Sequence, residues 1–111
     1  MNATRLKKLL EEMIQHEETV LTDKGTDYAS NEDRLSNFKV LADLLGLTPI
    51  QVWGVYCFKH LLAVASYVRN GQVESEPIEE RITDVRNYMV LGNALIAEAS
   101  EVEPSGGADD E

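Results

Sequence analysis

The sequence has almost no cysteine and no long run of apolar residues, and each absence excludes a class of protein. Cys57 is the only cysteine in the 111 residues, so no internal disulfide and no cysteine-based metal site can form. A helix that spans a bilayer needs about 18–20 consecutive apolar residues, and no run approaches that length. Glu11 and Glu12 also interrupt any apolar leader near the N-terminus. We therefore expect a cytoplasmic protein with no membrane partner.

Positive charge is scarce as well. The chain carries 20 acidic and 10 basic residues, for a formal net charge of −10. A protein that binds duplex DNA needs a basic surface opposite the phosphates, so the composition excludes duplex DNA as the main partner. Acidic residues without any lysine or arginine continue from Glu98 to the C-terminus. Such a segment can mimic DNA, but it more often forms a disordered, solubilising tail.

Apolar residues recur at intervals of three and four in four segments, which predicts four helices and no β-strand. The predicted helices cover residues 3–21, from 31–33 to 45, 49–69, and from about 77 to 99. Gly46 and Gly71 are predicted to end helices, and Thr48 with Pro49 to begin one. The fold class is therefore all-α, a four-helix bundle over residues 1–99 with a disordered acidic tail over 100–111.

The third and fourth predicted helices carry most of the apolar residues. The third is apolar around most of its circumference, so we expect it to be central and buried. The fourth has a stripe that we expect to face the core, formed by Ile78, Ile82, Val85, Met89 and Ile96 with Gly92 in line.

Several acidic side chains lie where the helical spacing points inward. The apolar stripe of the first helix is interrupted by Glu17. On the last helix Asp84 lies at the edge of the apolar arc, and Glu80 and Asn87 follow the same line. Because an isolated buried carboxylate costs several kcal/mol, acids that meet inside a bundle need a cation between them.

That cation could be Lys59, Arg81 or a metal. Carboxylates from facing helices form divalent-metal sites in helical bundles, and Mg²⁺ is held by a few carboxylates with water and phosphate. The alternatives are structural. Glu17 could lie at the rim or face a partner subunit, Asp84 could form a salt bridge, and His60 could be a satisfied core histidine.

Three blocks of the sequence, "KGTDYASNEDRLSNF", "VWGVYCFKHLLAV" and "ESEPIEERITDVRNYMVL", resemble a group of small phage and bacterial proteins. These are similar to the nucleotide modification associated domain family, which is distantly MazG-like. The resemblance runs from about Lys24 to Leu91. It implies an all-α fold related to nucleotide pyrophosphohydrolases, in which glutamates and aspartates of a helix pair hold Mg²⁺ and activate water.

The resemblance also implies a site. The nearest matches to the acidic motifs are "HEETV", with Glu17, and "EERITD", with Glu80 and Asp84, which we predict as metal ligands and catalytic groups. The second match has the spacing ExxxD where the family has ExxD. The groups predicted to contact a nucleotide are Lys24, Asp27, Tyr28, Arg34, Asn37, Phe38, Lys59, His60, Arg81, Asn87 and Tyr88. Cations of this kind suit phosphates, aromatic rings suit stacking, and Asn37 suits a base edge.

Three functions remain open at this point. The first is a Mg²⁺-dependent nucleotide phosphohydrolase, the second a protein that sequesters a nucleotide without cleaving it, and the third a helical module that binds a host protein. Alternatively, Asp27, Tyr28, Phe38 and their neighbours in this loop have only structural roles. We also expect a homo-oligomer, because a second subunit can cover the apolar surface of the third helix and can provide a partner for Glu17.

Overall fold

The computed structural model describes residues 1–23, 33–72 and 76–101. Within these ranges the chain forms four α-helices, a short π-helical turn and no β-strand, so the all-α prediction is confirmed. The elements are α1 (Ala3–Glu18) with its π-helical continuation (Thr19–Asp23), α2 (Ser36–Leu45), α3 (Pro49–Asn70) and α4 (Ile78–Glu101). Three residues of the predicted site, Lys24, Asp27 and Tyr28, lie outside the described residues.

The ends of α3 follow from local sequence. Thr48 caps its N-terminus through a reciprocal pair of hydrogen bonds with Gln51, and Pro49 occupies the first turn. Gly46 and Gly71 end α2 and α3 in the left-handed conformation, with φ values of 70° and 77°. All these predicted boundaries are confirmed.

The start of α2 differs from the prediction. The side chain of Asp33 accepts a hydrogen bond from the backbone N–H of Leu35 at 3.0 Å and forms an ion pair with Lys39 at 2.7 Å. Aspartate bonds of this kind favour a turn over a helix. The helix therefore begins at Ser36, after this turn, and not at residues 31–33.

The far end of α4 also differs slightly. The helix continues to Glu101, so the first two residues of the predicted tail are helical. Residues 102–111 lie outside the described part of the chain.

The core lies where α2, α3 and α4 meet. Its buried apolar residues are Leu35, Phe38, Ala42, Val52 and Leu95. On α3, Trp53 donates a hydrogen bond from its indole nitrogen to the carbonyl of Tyr88, and its ring lies against Gly92 on α4. This contact determines which face of α4 points inward.

Two predictions about burial are wrong. The third helix is not buried all round, since Phe58 is 67% and Leu62 is 70% exposed. The cause is that α2 and α4 both pack on the opposite face. The predicted stripe of α4 is wrong in part, because Ile82, Met89 and Ile96 are exposed. Gly92, which was predicted to lie in line with them, is buried together with Asn87 and Leu95.

No single helix in the described ranges is long and apolar enough to cross a bilayer. Taken together, α2 and α3 meet the length and composition criteria, but they are bent by 104° with respect to each other.

Candidate ligand-binding cavity

A cavity of about 470 Å³ opens between the π-helical continuation of α1 and the helices α2, α3 and α4. Cavities of roughly 300–1,000 Å³ are typical of small-molecule sites. Eight residues predicted from the sequence line it: Arg34, Asn37, Phe38, Lys59, His60, Asp84, Asn87 and Tyr88. Four further residues complete the wall: Val20, Leu21, Tyr56 and Leu91.

Aromatic rings form one side of the cavity. The rings of Tyr56 and Tyr88 stack with centroids 6.3 Å apart, and that of His60 lies 4.9 Å from Tyr88 at an interplanar angle of 29°. Phe38, which is almost completely buried, contacts both tyrosines edge-on. Packing on α2, α3 and α4 together thus holds these rings in place.

His60 and Asp84 face each other across the α3–α4 interface. The His60 Nδ1 and Asp84 Oδ2 atoms are 3.5 Å apart, too long for a strong hydrogen bond. Burial raises the pKa of the Asp84 carboxyl above its ordinary value, and the nearby His60 opposes this effect. Glu76 adds to the rise and Arg81 opposes it. The surroundings of Asp84 therefore offset only part of the free-energy cost of its buried negative charge.

Two polar atoms at the cavity have no hydrogen-bond partner among the described residues. They are Nδ1 of His60 and the amide oxygen Oδ1 of Asn87, both buried. The Asn87 residue is only 6% exposed. An unsatisfied buried polar group costs about 1–3 kcal/mol, and most native proteins avoid it outside functional sites. Both atoms belong to residues that line the cavity but are themselves covered, so a bound molecule could supply the missing partners once the side chains rotate towards it.

The basic side chains of the cavity are held differently. Arg34 donates hydrogen bonds from Nε and Nη2 to the carbonyl of Leu21, at 3.2 and 2.8 Å. This contact joins the end of the α1 segment to the start of α2 and closes one side of the cavity. Lys59 is exposed and lies at the open edge of the cavity.

The structure does not bring together the three acids predicted as metal ligands. Glu17 is buried, but Arg86 donates two hydrogen bonds to its carboxylate, at 2.6 and 3.0 Å. Glu80 is exposed on α4, and Asp84 alone lines the cavity. No group of three histidine, cysteine or acidic side chains in the described residues could hold a metal. The described residues of one chain therefore do not fit a three-carboxylate Mg²⁺ site.

Two other assignments change. Arg81 lies outside the cavity wall, where it forms a long ion pair with Glu76 at 3.7 Å. Arg86 was missed by the sequence analysis, although it is the cation that compensates Glu17. Arg86 lies among other polar positions of α4, and nothing in the local sequence indicates that its partner is 69 residues away. Tyr56 lies both against the core and in the cavity wall.

Comparison of the chain with protein-family models, curated proteins and solved structures finds no match.

Proposed function

We propose that the cavity binds a nucleotide or a nucleotide-derived small molecule without cleaving it. The observation that carries this proposal is that stacked aromatic rings and two residues with a buried polar atom that makes no hydrogen bond line one cavity. A nucleobase offers a flat face for the rings and hydrogen-bonding groups on its edge. A purely apolar ligand would leave Asn87 and His60 unsatisfied.

The orientation of the ligand follows from the positions of the charges. The base lies inside, where the Asn87 amide oxygen accepts a hydrogen bond from a ring N–H or an amino group of the base. The phosphates lie at the open edge, where Lys59 supplies a positive charge and Arg34 lies nearby in the cavity wall. Deep burial of phosphates would instead place them beside the carboxylate of Asp84, which would repel them.

Binding without turnover is supported over hydrolysis by the positions of the acids. Glu17 is engaged by Arg86 and Glu80 points into solvent, so two of the three predicted catalytic groups are not at the cavity. Asp84 remains, which is a single carboxylate 3.5 Å from His60. A hydrolase of the resembled kind needs more than one acid to hold its metal.

The test is a thermal-shift screen of linear and cyclic nucleotides, each with and without Mg²⁺ or Mn²⁺. We expect one nucleotide class to raise the melting temperature without metal, and chromatography of the mixture to show no product. A screen in which no nucleotide changes the melting temperature contradicts the proposal. Release of phosphate or pyrophosphate in the presence of metal would replace it with the hydrolase function.

Matched variants localise the binding. Asn87→Leu should abolish the nucleotide-induced shift, whereas Asn93→Leu, an exposed asparagine on the same helix, should preserve it. Lys59→Ala should weaken binding of a nucleotide more than that of the corresponding nucleoside, because only the former carries phosphate. Equal losses for both ligands would place the phosphates elsewhere.

A further inference from the structure

The helix α1 exposes an apolar face that no other described part of the chain covers. Leu6, Leu9, Leu10 and Ile14 are 56%, 41%, 46% and 50% exposed. They recur at intervals of three and four, so they form one continuous stripe along the helix. Contiguous exposed apolar surface of this kind is typical of an interaction site.

The charges along α1 run in an unfavourable order for an isolated helix. Its first half carries Arg5, Lys7 and Lys8, and its second half carries Glu11, Glu12 and Glu18, besides Glu17, which is buried and compensated by Arg86. The helix dipole favours acids at the N-terminus and bases at the C-terminus. The first turn of α1 contains no acid, so the observed order is the reverse of the favourable one. A neighbouring helix with the opposite order of charge would compensate it.

We infer that α1 pairs in antiparallel orientation with α1 of a second copy of this chain. In that arrangement the basic half of each helix faces the acidic half of the other, and the two apolar stripes meet between them. A two-fold axis brings the same surface of both copies into contact, so that surface has to be complementary to itself. This inference rests on α1 alone and does not depend on what the cavity binds.

Other occupants suit the surface less well. An anionic membrane would attract Arg5, Lys7 and Lys8 but repel Glu11, Glu12 and Glu18 on the same helix. Residues 102–111 of the same chain contain only Val102 and Ala108 as apolar residues. That segment therefore lacks the side chains needed to cover four large apolar groups.

The first experiment measures the molar mass by light scattering after gel filtration. We expect twice the monomer mass for the wild type and the monomer mass for the double variant Leu6→Ser, Leu10→Ser. The matched control is Leu62→Ser, Val68→Ser on α3, where the side chains are 70% and 78% exposed, and it should remain a dimer. Circular dichroism of each variant establishes that the helices are intact.

The second experiment tests the charge pattern and the orientation. Reversal of the three cations (Arg5→Glu, Lys7→Glu, Lys8→Glu) should leave a monomer, and so should reversal of three acids (Glu11→Lys, Glu12→Lys, Glu18→Lys). A mixture of the two variants should form a heterodimer. All six changes in one chain should restore the homodimer, since the two halves again carry opposite charges.

Several outcomes would overturn the inference. They are a monomeric wild type, a dimer that only the α3 variants disrupt, a six-fold variant that stays monomeric, and α1-dependent binding to anionic vesicles in place of dimerisation. A pairing of parallel helices is excluded if both three-fold variants are monomers while the wild type and the six-fold variant are dimers, because parallel pairing would place like charges opposite each other in all four chains.

Discussion

At the scale of single residues, Glu17 and Arg86 show how a buried acid is tolerated without a metal. The carboxylate is almost fully buried, while the guanidinium of Arg86 retains contact with solvent at one side. The pair forms two hydrogen bonds, and their bidentate geometry is the strongest that an arginine makes with a carboxylate. The pKa of Arg86 is raised mainly by its hydrogen bonding to Glu17. The two charges therefore stabilise each other.

The first prediction follows from this pair. Arg86→Leu leaves an uncompensated buried carboxylate and should lower the free energy of unfolding by about 3 kcal/mol, the lower end of the range for a buried pair because the Arg86 side chain is 34% exposed. The double variant Glu17→Leu, Arg86→Leu should lose much less, because both charges are removed together. Urea denaturation measures both values. As a control, Lys39→Leu breaks two ion pairs with half-exposed acids and should cost less than about 1 kcal/mol. A double variant as unstable as Arg86→Leu would contradict this account.

The second prediction concerns Asp84 and pH. Because burial raises its pKa in the folded state, ionised Asp84 destabilises the fold at neutral pH. The protonated form stabilises the fold below the unfolded value of 3.8, and this contribution is lost as the pH rises through the folded pKa. Asp84→Asn should therefore be more stable than the wild type at pH 7. The difference in the free energy of unfolding should shrink towards pH 3.5, and a constant or growing difference would contradict it.

At the scale of the elements, the crossing of α3 and α4 depends on a close approach at Gly92. A Cβ atom at this position would lie 2.6 Å from two carbon atoms of the Trp53 ring. The indole nitrogen is at the same time held by the carbonyl of Tyr88. Glycine thus permits the contact that turns Tyr88 and Asn87 towards the cavity.

The third prediction tests this contact. Gly92→Ala should lower the free energy of unfolding by about 1–3 kcal/mol, since the ring must move and its hydrogen bond is strained. Gly54→Ala is the matched control, because a Cβ atom there meets nothing within 4 Å. It should stabilise the chain by about 0.5–1 kcal/mol. Denaturant titrations followed by the fluorescence of the single tryptophan measure both, and equal effects at the two glycines would argue against the close approach.

At the scale of the whole molecule, the proposed pairing through the exposed apolar stripe of α1 would link stability to association. A dimer that forms only from folded chains stabilises the folded state by mass action. The apolar stripe of α1 contributes to this stabilisation once it is removed from water.

The fourth prediction is that the melting temperature depends on protein concentration. We expect it to rise with concentration for the wild type and to be independent of concentration for Leu6→Ser, Leu10→Ser. Differential scanning calorimetry over a hundred-fold range of concentration makes the measurement. A melting temperature that is constant for the wild type would show that association and folding are not coupled.

The sequence by itself determined the features that depend on neighbours within a few residues. The cap at Thr48, the proline start of α3 and the glycine ends of α2 and α3 all arise from contacts between residues up to five apart. The all-α class follows from the same local periodicity. Asp84 and Asn87, which line the cavity, were also predicted from helical spacing, whereas residues such as Arg34, Asn37 and Phe38 were predicted from what the family resemblance implies.

Only the tertiary structure decided which faces meet. The periodicity of α3 is apolar on nearly every side, so it cannot indicate which side α2 and α4 will cover. The rotation of α4 depends on Trp53 fitting against Gly92, and the partner of Glu17 is Arg86, 69 residues further along the chain. Contacts of this range are determined by shape complementarity and charge pairing between whole helices, which a local pattern does not contain. For that reason the acids predicted as one metal site lie apart, while His60, Asp84 and Asn87 lie together at one cavity.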